Sequence, residues 1–218
     1  MSKPAARLLA WLSPAFPVGA FAYSGGLESA IAHRRVTDSG TTQNWISGSL
    51  KAGSALSDAV VLKEAWEAGA DAARLREIAE FCLALIATSE RRLETLHTGS
   101  AFVAAARAWP TRVLDLLPDE CPYPVAIGAI SRAHGLALDE TLAAFLTSLV
   151  QAQISVAVRL VPIGQTDGLR ILAALEPAVD TAAAHAETTS IEALFTLGYA
   201  SDIETMRHET LTTRIFRS

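Results

Sequence analysis

The chain has 218 residues, half of them hydrophobic and 19% charged, with a formal net charge of −5 and a mean hydropathy of +0.29. That is too apolar for intrinsic disorder, long enough for one or at most two domains with a full core, and too acidic to bind a phosphate backbone by counterion release. Two cysteines, Cys82 and Cys121, make no secreted disulfide framework and fit reduced thiols in a cytoplasm, and the apolar surplus predicts oligomerisation or a large partner interface.

Taken in chain order, Lys3 and Arg7 precede an apolar run ending in Ala20-Phe21-Ala22, which imitates a secretory signal cleaved after Ala22. Pro14 and Pro17 break the helix that such a signal needs. The stretch from Ser13 to Ser24 is proline-stiffened and aromatic, so it is either an arm packed on the core or a preorganised docking surface. Gly25-Gly26 next to Ser24 reads as a helix entrance with the serine as cap. Thr41 to Trp66 reads as helix with a break at Gly53. Asp71 caps a helix running to Ser89, whose stripe of Leu75, Ile78, Cys82, Leu85 and Ile86 makes Cys82 a core residue. The next helix carries Leu93, Leu96, Phe102 and Val103 and stops at Trp109-Pro110. The loop from Pro118 to Pro124 leaves Cys121 as an exposed thiol.

Asp139 caps a helix to Leu160. Its uncharged stretch, Thr141 to Val158, approaches the length of a membrane span, but Thr147, Ser148, Gln151, Gln153 and Ser155 interrupt it and make it a core helix. Pro162 and Gly164 end that helix, and Gln165, Thr166 or Asp167 cap the following one. Thr189-x-x-Glu192 is a capping box opening the last helical region. Strand alternation is scarce, and hairpin signals, repeats and a convincing linker are missing, which predicts a single compact all-α domain of roughly eight to ten helices. It spans residues 1–218, with an N-terminal arm over about 1–24 and a C-terminal tail over about 207–218.

Histidines 33, 97, 134, 185 and 208 are dispersed without metal-ligand spacing, and no P-loop or nucleophile elbow is present. His208 and Glu209 are adjacent, but neighbours on a helix point in different directions. A hydrolase or lyase using that pair with an arginine is the alternative reading. The tail, Arg207 to Ser218, combines three arginines with Ile215 and Phe216 and has no helical stripe. It is either a partner-binding handle or a segment docked on its own domain.

Three segments carry a resemblance: S-P-A-F-P-V-G-A-F-A-Y-S-G-G-L-E from Ser13, L-V-P-I-G-Q-T-D-G-L-R from Leu160, and R-H-E-T-L-T-T-R-I-F-R-S from Arg207. In order and spacing they resemble the urease accessory protein UreF family. The resemblance implies an all-α cytoplasmic homodimer with no catalytic centre and no tightly bound metal or cofactor. It implies binding of UreD (also called UreH), recruitment of the GTPase UreG, and a part in nickel delivery to the urease apoprotein, without nucleic acid or membrane. Carried over by position, the partner-binding residues are Pro17, Gly19, Phe21, Tyr23, Ser24, Gln165, Arg207, His208, Glu209, Arg214, Phe216, Arg217 and Ser218. The chain departs from the family pattern at Gly25 (commonly Gln), Phe21 (often Tyr), and Leu211-Thr212 (commonly Gln-Tyr). Two expectations follow: the tail from about Thr210 is mobile until UreD binds, and Arg214 bonds carbonyls of the arm while stacking on Phe21 or Tyr23.

Overall fold

The 3–4 spacing of apolar residues becomes helix wherever it runs unbroken. The computed structural model describes residues 3–194 and 198–218, and these contain no strand. The α-helices are α1 (Lys3–Trp11), α2 (Leu27–Ala32), α3 (Ser39–Ala52), α4 (Ser54–Ala68), α5 (Ala72–Leu85), α6 (Ser89–Ala106), α7 (Tyr123–Ala133), α8 (Leu138–Leu160), α9 (Gln165–Thr188) and α10 (Tyr199–His208). Short 3-10 turns cover Ala20–Ala22, Arg112–Asp115 and Ile191–Ala193.

Local chemistry sets most of the boundaries. Asp71 caps α5 as expected, accepting from the amides of Ala73 and Arg74, and Gly53 separates α3 from α4. Asp167 accepts from the Gly164 amide at 3.2 Å and fixes the entrance of α9. Other boundaries differ from the sequence reading. The helix after Asp71 stops at Leu85, and a new one starts at Ser89 with Thr88 as cap. Residue Asp139 lies in the first turn of α8, whose cap is Ala137, so it complements the helix dipole without capping it. Thr189 closes α9, and Ser190 caps the following 3-10 turn by accepting from Ala193, so Thr189 and Glu192 form no capping box.

Helices α4 and α7 cross closest, because Gly128 of α7 has no side chain: a Cβ there would overlap the Leu62 carbonyl. Around this crossing lies the main core, which includes Val60, Leu62, Ile127, Phe145 and Leu146. Trp11 meets Phe102 and Trp109 edge-on, each at 5.8 Å, which pins α1 to α6. Helix α8 is long and apolar enough to cross a membrane by length and composition. Here Leu142, Phe145 and Leu146 have no exposure at all, as a core helix requires. Cys82 is buried as expected. Cys121 is buried too, contrary to its reading as an exposed thiol, and the apolar surroundings push it up to about 12. A second, smaller core gathers Leu27, Ala30, Val36, Val156, Ala157 and Val161 around the tail residue Phe216.

Candidate partner-binding site

Helix α10 and the tail converge on the buried Glu28 carboxylate of α2, and α6 joins them through Glu90 and His208. After Trp11 the two prolines turn the chain through the Ala20–Ala22 turn, and Gly19, Gly25 and Gly26 all take positive φ. Gly26 (φ 81°) starts α2, and a Cβ on it would meet Thr205 Oγ1 at 2.7 Å. Helix α10 therefore packs directly on the entrance of α2. The Ser24 hydroxyl accepts from the Glu28 amide at 3.3 Å, a capping contact as read, although Gly26 is the residue immediately before the helix.

Glu28 accepts from His208 Nε2 at 2.9 Å and from the amides of Ile215 and Phe216 at 2.8 and 3.0 Å. The other ring nitrogen of His208 lies 2.9 Å from Glu90 Oε2, and Arg214 donates to Glu90 Oε1 at 3.2 Å. Burial raises the Glu28 pKa, but the hydrogen bonds from His208, Ile215 and Phe216 outweigh it and hold the carboxyl below the ordinary range.

The tail then runs beside the arm. The Arg217 amide donates to the Ala22 carbonyl and the Ser24 amide to the Ser218 carbonyl, both at 2.8 Å. The Ser24 hydroxyl also bonds the Ser218 carbonyl, and Gln153 of α8 holds the Ser24 carbonyl at 2.8 Å. Phe216 is 4% exposed, with the Arg159 guanidinium 5.9 Å from its ring centroid. Burying such a side chain stabilises the docked tail by about 1.5–3 kcal/mol.

The tail is docked on its own chain by backbone and side-chain bonds, one of the two readings its sequence offered. One expectation is corrected. Arg214 pairs with Glu90 and not with carbonyls of the arm, and no stacking on Phe21 or Tyr23 is present among the described residues. The residues singled out by sequence divide by exposure. Tyr23, Ser24, His208, Phe216 and Ser218 are buried and hold the arrangement together. Tyr23, for instance, hydrogen-bonds His97 at 3.1 Å. Pro17, Phe21, Arg207, Glu209, Arg214 and Arg217 are exposed, and Gly19 is half-buried. Gln165 is exposed too, but it lies apart from this cluster, on a groove of about 330 Å³ between α8 and α9. Sequence reasoning missed Glu28 and Glu90. The S-G-G-L-E segment did contain Glu28, but only the fold brings it to His208.

Deeper under the arm, a cleft of about 340 Å³ reaches Asp58, Arg91 and Glu94. Arg91 bonds Asp58 and lies 3.3 Å from Glu94. Burial raises both carboxyls, against the opposing pull of Arg91. No group of three or more His, Cys, Asp or Glu side chains is arranged to hold a metal among the described residues. His208 is sealed between two glutamates, and Glu209 faces outward and accepts from Ser89 at 2.6 Å. The two face different surroundings, and neither lines the groove at Gln165 or the cleft under the arm.

Among the described residues the chain is all-helical, and the polar network around Glu28 secures the tail beside the arm. Comparison with known proteins gives the family. The UreF family model matches residues 36–176. The chain is 49% identical over 212 residues to the urease accessory protein UreF of Agrobacterium fabrum (strain C58 / ATCC 33970), covering 97% of this chain and 95% of that protein. It is 47% identical, with the same coverage, to that of Rhizobium leguminosarum bv. viciae. Identity to UreF 1 of Brucella canis is 44%, over 97% of this chain and 93% of that one. The chain belongs to the UreF family of urease accessory proteins, and it is a maturation factor, not an enzyme.

Proposed function

We propose that this chain is a homodimeric cytoplasmic scaffold that binds UreD (UreH) and recruits the GTPase UreG during nickel delivery to the urease apoprotein. It holds no metal or cofactor tightly, and nickel is cargo of the assembly. The observation that carries the reading is the closure of tail on arm. It sets the exposed side chains of Phe21, Arg214, Ile215 and Arg217 beside the paired backbone of residues 22–24 and 217–218. Aromatic, arginine and aliphatic groups on a rigid support are the composition of an interface hot spot. The buried members of the set act by positioning these groups.

Arg214→Ala tests the reading. Its guanidinium is 43% exposed, so unfolding free energy should change by no more than about 1 kcal/mol. Recruitment of UreG by the complex with UreD should fall at least tenfold, or about 1.4 kcal/mol. Undiminished recruitment would remove Arg214 from the docking surface. The dimer is tested separately by light scattering at micromolar concentration. Leu9, Leu93, Leu169 and Tyr199 are each more than half exposed, and symmetric pairing is the usual way to cover such surface. A monomer alone would defeat that part of the proposal.

A further inference from the structure

Among the described residues, Arg34 alone combines a side chain with a positive φ (58°). That left-handed conformation is one glycine adopts freely and other residues adopt at a cost. The turn demands it. At the end of α2, Arg34 donates its amide to Ile31 at 2.9 Å and Arg35 donates to Ala30 at 2.8 Å. This is the helix ending whose left-handed position most often takes glycine. It also returns the chain to the small core at Val36, which is 2% exposed. The fold accounts for the conformation but not for the arginine, whose side chain is exposed and makes no hydrogen bond or ion pair among the described residues.

Its surroundings supply a reason. Arg35 and Arg207 each reach the buried Glu204 carboxylate at 2.9 Å, and His33 reaches it at 3.1 Å. One carboxylate thus faces two guanidinium groups and an imidazole, and Arg34 adds a third guanidinium with no counterion. In a chain of net charge −5 this is a local positive surplus. Arg207 also follows Ile203 by one turn of α10, and the exposed Tyr199, Ile203 and Met206 lie along that helix. Basic groups bordering an apolar stripe suit a protein interface, whereas nucleic acid needs an extended basic track.

We propose that Arg34 is a docking residue retained despite backbone strain, and that the face it shares with Arg35, Arg207 and the α10 stripe takes an acidic, apolar-edged segment of a partner protein. This rests on the reading of the chain as a scaffold for protein partners.

Arg34→Gly and Arg34→Glu in the full chain separate the two roles of the residue. Purified UreD, UreG and urease apoprotein are titrated singly and in combination onto wild type and variants at low and physiological salt, with melting temperature measured alongside. For at least one partner, binding should fall tenfold or more in both variants, and Arg34→Gly should lose part of the salt dependence. The melting temperature of Arg34→Gly should hold or rise by about 2 °C, as strain is relieved. Unchanged binding in both variants overturns this inference alone, and so does a fall in melting temperature for Arg34→Gly, which would make the arginine a structural residue. Loss of self-association in place of partner binding would assign the face to a second copy and overturn the proposed partner. Wild type that binds none of the three, in any combination, overturns the scaffold reading and this inference with it.

Discussion

At the scale of single residues, Glu28 does the most. Its two oxygens serve one imidazole and two tail amides, and its pKa lies below the ordinary range because those bonds outweigh burial. A carboxyl lowered in the folded state contributes stability that is present above the ordinary value and lost as pH falls through the folded value. The tail should therefore stay protected down to the ordinary glutamate range of about 4.3 and release only below it. Asp58 and Glu94, raised by burial, work with the opposite sign: their contribution is full below the ordinary range and declines as pH rises through the raised values. Acid should thus free the tail before it loosens the cluster under the arm. Amide protection of Ile215 and Phe216 by NMR across pH 3–7, corrected for intrinsic exchange, checks this. Release already at pH 6 would mean that Glu28 is not the governing group. Replacing the acceptor outright is harsher. Glu28→Ala should cost about 2–4 kcal/mol in urea unfolding, because it strands two amides and the His208–Glu90 pair, and Glu28→Gln should cost less.

At the scale of elements, the decisive contact is α10 on the start of α2. Gly26→Ala would add a Cβ at a φ of 81° that meets Thr205 Oγ1 at 2.7 Å and its amide nitrogen at 2.9 Å. We expect it to lose about 2 kcal/mol, a fall in melting temperature of roughly 4–8 °C, and to speed exchange of the tail amides as α10 is displaced. A variant with unaltered tail protection would show that α10 does not support the tail. Features written in short-range chemistry were legible beforehand: the Asp71 cap, the break at Gly53, the proline-stiffened arm, the buried stripe of α8. The tail was legible only as two alternatives, a handle or a docked segment, because nothing adjacent to Phe216 reveals that Leu27, Val156 and Val161 leave a place for it. The same holds for Cys121, which became a core residue because Gly99 of α6 lets its backbone approach closely.

At the scale of the molecule, the two thiols report on the integrity of the core. Cys82 and Cys121 are each 3% exposed, and burial pushes both well above the ordinary thiol range. Native protein should react with a thiol reagent at pH 8 only through opening of the structure, and unfolded protein should react at once at both sites. Rapid labelling of either cysteine in the native state would contradict the packing around α5 and α7. Labelling that rises with urea in step with helix loss would show that the helices unfold as one cooperative body.

The closure of tail on arm joins residues 22–25 to residues 217–218, and so has a consequence during synthesis. A ribosome adding about 5–20 residues per second needs on the order of 10–40 s to travel from the arm to the segment that pairs with it. Throughout that interval Glu28 has no tail amide to accept from and the small core lacks Phe216. Removal of residues 214–218 would take away the backbone pairing and Phe216 together, so the surface beside the arm depends on a contact made across nearly the whole sequence.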